Sequence, residues 1–332
     1  MSALSLSQAV FGASIPVLCY HQVRPGSGMS PEKFGRHLDL LAKLGLQTIS
    51  LASLQRIILG RELPAGPSVV VTFDDCTLDN WVHAVPELAR RGMRGVFFAV
   101  TDFLLPGAAR PRADQGGRPE IPPFSEIMRQ ALDGRCEWFM NHEEVRAVVR
   151  EFGMEVYSHS AAHQACFTSL RQDGVLGGGG HWSHGALCGQ GASPDSPVHA
   201  VGSAYANAGF GLDWNGQPLA LGTREERLAF CLDDFSSSRM CLENVLGQPC
   251  PFLCLPWGQF DETTLEAARM AGYTGVLNLN AGFVGAGTDP MRIGRLAVKD
   301  RKSLPWLGLK AGLLAHKATA GLVRGLNVGG RS

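Results

Sequence analysis

The chain has 332 residues, 45% of them hydrophobic and 18% charged, and its 30 basic and 30 acidic side chains cancel. That length supports one large domain or two small ones, and the neutral balance excludes a global basic field for nucleic acid. Nine scattered cysteines without a CxxC pair point to a reducing compartment rather than a disulfide framework.

In chain order, the opening MSALSLSQAVFGAS has neither a basic region nor an apolar core of signal-peptide length. No run of about eighteen apolar residues follows, so no membrane span is expected and the reading is a cytoplasmic protein. Residues 15–20 read as a strand that ends at His21. Ser30 and Pro31 supply an N-cap and a first-turn proline, and Phe34, Leu38, Leu41 and Leu44 follow at helical spacing up to Gly45. A short strand is expected at 47–50 and a helix at 51–59. Residues 69–73 are apolar on both sides of the pleat, the pattern of a strand buried in a parallel sheet. A helix over 79–91 and a strand over 95–100 come next, then a helix over 141–152 opened by an Asn141/Glu144 capping box. The remaining elements are strands at 154–157, 251–255, 275–279 and 293–298 and helices at 224–246 and 261–270.

Strand and helix alternate about seven times, which argues for one parallel sheet, closed or nearly closed, with helices outside. Two stretches break the rhythm. Residues 104–135 are rich in Pro, Gly and Arg, and residues 171–222 in Gly, Ser, Asn and His. Both are long for plain connections, so they are functional loops or disordered segments.

Chemistry-bearing residues collect at strand ends, where parallel α/β folds place their sites. VVVTF runs into Asp74 and Asp75; EVYSHSAAHQ carries His159 and His163, four apart; FLCLPWG ends in Pro256 and Trp257. Each also has a plainer reading, as a helix N-cap pair, a chance histidine spacing and a simple turn. Two bare carboxylates at one strand end repel, and a divalent cation removes that conflict. Asp75, His159 and His163 make a two-nitrogen, one-oxygen set with positions left open, which suits zinc holding a water. Cobalt and nickel fit the same set. Asp74 is then free to act as general base.

The order TFDD, HSxxH, PWG resembles the polysaccharide deacetylase (NodB-homology) superfamily, carbohydrate esterase family four. IPVLCYHQV and MSPEKFGRHLDLLAKLGLQTIS resemble its poly-N-acetylglucosamine deacetylase branch. The likeness covers roughly residues 15–100, 141–164 and 250–300. It implies a distorted (β/α)7 barrel in which Asp74 is the base, metal-held water the nucleophile, and Asp75, His159 and His163 the ligands. It also implies His21 as general acid and the Trp257 N–H as an oxyanion donor. His21 ends an apolar strand, and an imidazole suits protonation of a leaving amine; a core histidine bonded to backbone is the other reading.

The pattern is not complete. Cys76 stands where the family usually has glycine, which raises a shifted metal loop or a thiol ligand. Cys254 stands where many members carry an arginine partner for the base. Arg295 matches an arginine near the end of the related branch and could contact the base, the substrate or only a surface acid. Both insertions follow catalytic strands and are expected to narrow or cover the cleft. His181, His184 and His199 lie in the second, as solvated loop histidines or a further metal site.

The expected domain layout is a barrel over 1–300 with insertions at 104–135 and 171–222, and a tail over 301–332. The tail has no acidic residue, and Lys310, Lys317 and Arg324 recur every seven residues. That spacing describes either a basic amphipathic helix at the inner membrane face or a last helix packed on the barrel. The function expected is metal-dependent removal of the N-acetyl group from an N-acetylated sugar or glycan. The alternatives are a deformylase or other small-molecule amidohydrolase on the same fold, and a non-catalytic glycan-binding barrel.

Overall fold

A computed structural model describes residues 14–315 except 28, 190, 208, 209, 213–217 and 221, together with residue 319. Strand β1 is Val17–Tyr20, β2 Gln47–Thr48, β3 Ser68–Phe73, β4 Val96–Ala99 and β5 Glu155–Ser158. Every residue of β1, β3 and β4 is buried. Each large apolar side chain so buried contributes about 1.5–3 kcal/mol, and the double-sided burial explains the unbroken apolar runs. Strands β6 (Ala165–Val175), β7 (Pro197–Ser203), β8 (Phe210–Leu212) and β9 (Pro218–Ala220) form a separate antiparallel sheet in the order β7-β6-β8-β9. The chain then returns with β10 (Phe252–Cys254), β11 (Gly275–Asn278), β12 (Ile293–Gly294) and β13 (Leu296–Ala297).

The large sheet runs β12-β11-β10-β5-β4-β3-β1-β13, with β2 added beside β3. All of its pairings are parallel. The expected last strand, 293–298, is split in two around Arg295, and this split closes the barrel. Ile293 and Gly294 register with Leu277 and Asn278, while Leu296 and Ala297 register with Leu18 and Cys19. Six continuous staves and this split seventh make a distorted (β/α)7 barrel. Gly294 is required at the seam, because a Cβ there would lie 2.0 Å from the Asn280 carbonyl oxygen.

The outer helices form much as expected. Ser30 caps Pro31–Lys43 and the Asn141/Glu144 box opens His142–Arg150. The segment after Asp79 differs: it starts as a π-helix over Asn80–Ala84 before continuing as an α-helix over Val85–Ala89. The first insertion contains a helix, Phe124–Leu132, and is pinned by Arg110, which donates to the buried Glu144 carboxylate at 2.7 Å. The second insertion is neither loop nor disorder over its described part. It is the antiparallel sheet, begun at Ala165 before the expected boundary. Register shifts in β6 and exposed residues along its outer half erase the alternation that would have revealed it.

Leu304–Leu314 is a helix that packs against Pro31–Lys43. It buries Leu307, Lys310, Ala311 and Leu314. Lys310 is therefore not part of a solvated basic stripe; its neighbours at helical spacing are apolar and carry it into the contact. Lys317 and Arg324 lie outside the described residues. Among the described residues, no helix is long and apolar enough to cross a membrane.

Candidate metal centre and catalytic cleft

The carboxyl ends of the staves share one rim. β1 delivers His21, β3 delivers Asp74 and Asp75, β5 leads to His159 and His163, and β10 to Pro256 and Trp257. Asp75 Oδ1 lies 3.5 Å from His159 Nε2 and 3.6 Å from His163 Nε2, and all three residues are buried. His159 Nδ1 donates to the Cys254 carbonyl at 2.9 Å, which leaves Nε2 as the lone-pair nitrogen facing Asp75. Asp75 Oδ1 is buried without a hydrogen-bond donor among the described residues. Burial pushes the Asp75 carboxyl up to about 7, and the Asp74 charge adds to the rise. Burial likewise holds both imidazoles below their usual range, His163 furthest. A deprived carboxylate oxygen beside two neutral imidazole nitrogens is the donor set a divalent cation needs, so these residues fit one.

Backbone geometry presents this cluster. Asp75 and Cys76 both have positive φ, 73° and 51°, which strains non-glycine residues by roughly 1–3 kcal/mol each. The turn is held because the Cys76 carbonyl accepts from Met140 N–H at 2.8 Å and Leu78 N–H donates to Trp138 at 2.7 Å. Cysteine thus adopts the left-handed conformation that glycine would take freely, and its thiol is not among the residues clustered with Asp75. His159 and His163 converge through a turn rather than a helix, with Ser160 and His163 at φ 71° and 50°. Asp234 braces that turn, accepting from Ala161 N–H at 2.8 Å and Ala162 N–H at 3.2 Å.

Arg295 is not a surface residue. It is fully buried and grips Asp74 with Nη1 to Oδ1 at 2.6 Å and Nη2 to Oδ2 at 2.8 Å. Burial works to raise the Asp74 carboxyl, but the Arg295 charge and hydrogen bonds outweigh it and hold the group well below the usual carboxylate range. The arginine absent at Cys254 is supplied from the closing strand. The Cys254 and Cys19 thiols add weak donations to Asp74 at 3.5 and 3.4 Å. Neighbouring carboxyls are thereby split, one ionised and one raised.

His21 Nε2 is 4.0 Å from Asp74 Oδ2, and its side chain is 48% exposed. It opens onto a cleft of about 460 Å³ lined in part by Gln22, Arg24, Phe124 and Lys299. Asn80 Nδ2 donates to the His21 carbonyl at 2.9 Å, and Asp79 accepts from Val23 N–H. Trp257 has φ 59°. Its ring stacks on Trp182 of the second insertion, with centroids 6.1 Å apart, and lies 4.4 Å from the His163 ring. The second insertion therefore reaches the rim on the side of His163.

His181, His184 and His199 join no group of three possible ligands among the described residues. Two of them are not solvated: His184 and His199 are buried, and His184 Nε2 donates to the His199 carbonyl at 3.2 Å. Sequence reasoning missed Cys19, Asp79, Asn80, Trp182 and Asp234. Only the alternation of Cys19 with His21 along β1 could have signalled one of them.

Fold and rim together define a distorted (β/α)7 barrel with a candidate site at the carboxyl ends of its staves. Residues 62–177 match the family model described as polysaccharide deacetylase. YxkH of Bacillus subtilis (strain 168), named for the same family, is 31% identical over 90 residues, which are 26% of this chain and 32% of YxkH. The chain thus aligns with about a third of that relative. IcaB from Ammonifex degensii superposes with a TM-score of 0.59 at 21% identity, covering 91% of this chain and 98% of IcaB. A de-N-acetylase from Aggregatibacter actinomycetemcomitans superposes with a TM-score of 0.61 at 18% identity, covering 87% and 96%. At these identities the two superpositions speak to the fold.

Proposed function

We propose that this chain is a metal-dependent hydrolase of carbon–nitrogen bonds that removes the N-acetyl group from an N-acetylated glycan. The observation that carries the reading is the convergence of Asp75, His159 and His163 beside an ionised Asp74 on one barrel rim. The family match and the printed names of the structural neighbours support the acetyl group as the one cleaved. The IPVLCYHQV stretch favours the poly-N-acetylglucosamine branch.

Asp75, His159 and His163 would hold the cation, with zinc the best match to two nitrogens and one oxygen. When bound, it supplies Lewis-acid charge that polarises the acyl carbonyl and acidifies water. Asp74 accepts the proton of the attacking water. Arg295 fixes the direction of its oxygens and keeps it ionised, at some cost in basicity. The Trp257 N–H donates to the oxyanion that develops on the carbonyl. His21, on the cleft side of Asp74, gives a proton to the departing amine. Cleavage of the C–N bond leaves acetate and a free amino sugar. Acetate release from N-acetylglucosamine oligomers, measured with metal content, tests the reading. Metal-loaded protein that releases acetate supports it, and loaded protein inert on acetylated sugars contradicts it.

A further inference from the structure

Alternation along β1 sends Cys19 and His21 to the same side, into the barrel mouth. There they meet Asp74. Cys19 Sγ lies 3.4 Å from Asp74 Oδ2 and 3.9 Å from His21 Nδ1, and His21 Nε2 lies 4.0 Å from the same Oδ2. These donors all fall within 4.8 Å of one another. A tetrahedral ion with zinc's bond lengths holds sulfur, nitrogen and oxygen donors roughly 3.3–3.5 Å apart. Cys19 and Asp74 already stand at that spacing; one nitrogen of the half-exposed His21 ring has to move toward them to complete the set, and that exposure also provides the access route.

We propose that Cys19, His21 and Asp74 form a second cation site, separate from Asp75–His159–His163, which takes a thiophilic divalent ion such as zinc or cadmium and switches the enzyme off. Binding displaces the thiol proton to solvent past His21 and leaves a thiolate ligand. The inhibition rests on the reading of Asp74 as base and His21 as acid; the binding does not. Arg295 is already paired with Asp74 and repels the ion, so this site fills after the first. A further grouping, Asp74, His159 and Cys254, is not independent, because it shares His159 with the first site.

The two sites differ in one readable respect: only the second has sulfur. Cadmium is titrated into metal-free full-length protein while the ultraviolet thiolate-to-cadmium charge-transfer band and acetate release are followed. The first equivalent is expected to bind without the band, and the second to bring it in and lower activity at least tenfold. Cys19→Ser should abolish the band. His21→Ala, at a half-exposed position, should weaken the second event about tenfold and leaves the inference testable if Cys19→Ser fails to fold. His163→Ala should remove the first event and keep the band, which separates failure of the first site from failure of the second. A band of unchanged strength in Cys19→Ser, or no band in the parent, overturns the site. A band without loss of acetate release overturns the inhibitory role while the site stands.

Discussion

The strand-end rim and the inserted sheet meet at one site but position their residues differently. On the rim, Asp74 and His159 each follow a buried stave, and Arg295 interrupts the closing strand, so strand register fixes where each one stands. Trp182 comes from a segment that follows four glycines and is held by stacking on Trp257. Rim residues are therefore the ones to which the proposed chemistry is assigned, and Arg295 with Asp74 ties that rim to the stability of the barrel. The insertion is a separate sheet that reaches the rim through Trp182.

The largest expected effect breaks the rim. Arg295→Met leaves Asp74 buried and unpaired, which should cost about 3–5 kcal/mol in urea unfolding. A loss below about 1 kcal/mol would mean that the thiols of Cys19 and Cys254 satisfy Asp74 alone. His21→Ala, half exposed and away from the core, should leave folding intact and lower kcat about 10²–10⁴-fold with metal content unchanged. An equal fall in metal content would move His21 into the ligand set. Trp182→Ala sharpens the contrast from the other side. Loss of its stack should raise KM for glycan oligomers roughly tenfold and leave kcat and bound metal near the parent.

The smallest effect lies away from the site. His37 is buried against Tyr20, and burial lowers its imidazole from 6.5 to about 4. The unfolded chain binds that proton first, so stability should fall as pH drops from about 6.5 to about 4. Unfolding of His37→Gln across this window should show a shallower slope than the parent. An unchanged slope would assign the acid sensitivity to other groups.

The same comparison explains what was legible in the sequence. VVVTF announces a buried stave, and the acids after it, like His159 and His163 after β5, could be placed on a rim by alternation and position alone. Arg295 could not be assigned, because its partner is 221 residues away and the contact depends on the barrel closing around it. Asp234 was hidden for the same reason, as a mid-helix acid serving a distant turn. The inserted sheet was missed because bulges and exposed residues in β6 break the period-two signal. Lys310 misled because a seven-residue spacing says which residues share a face, not which way that face turns.

The most direct test pairs metal content with acetate release for the parent and Asp74→Asn. Bound metal in both proteins, with acetate released by the parent and reduced about 10²–10⁴-fold or more in the variant, is the result expected if Asp75, His159 and His163 hold the cation and Asp74 takes the proton. Full acetate release by Asp74→Asn, or no metal bound by either protein after zinc loading, would contradict it.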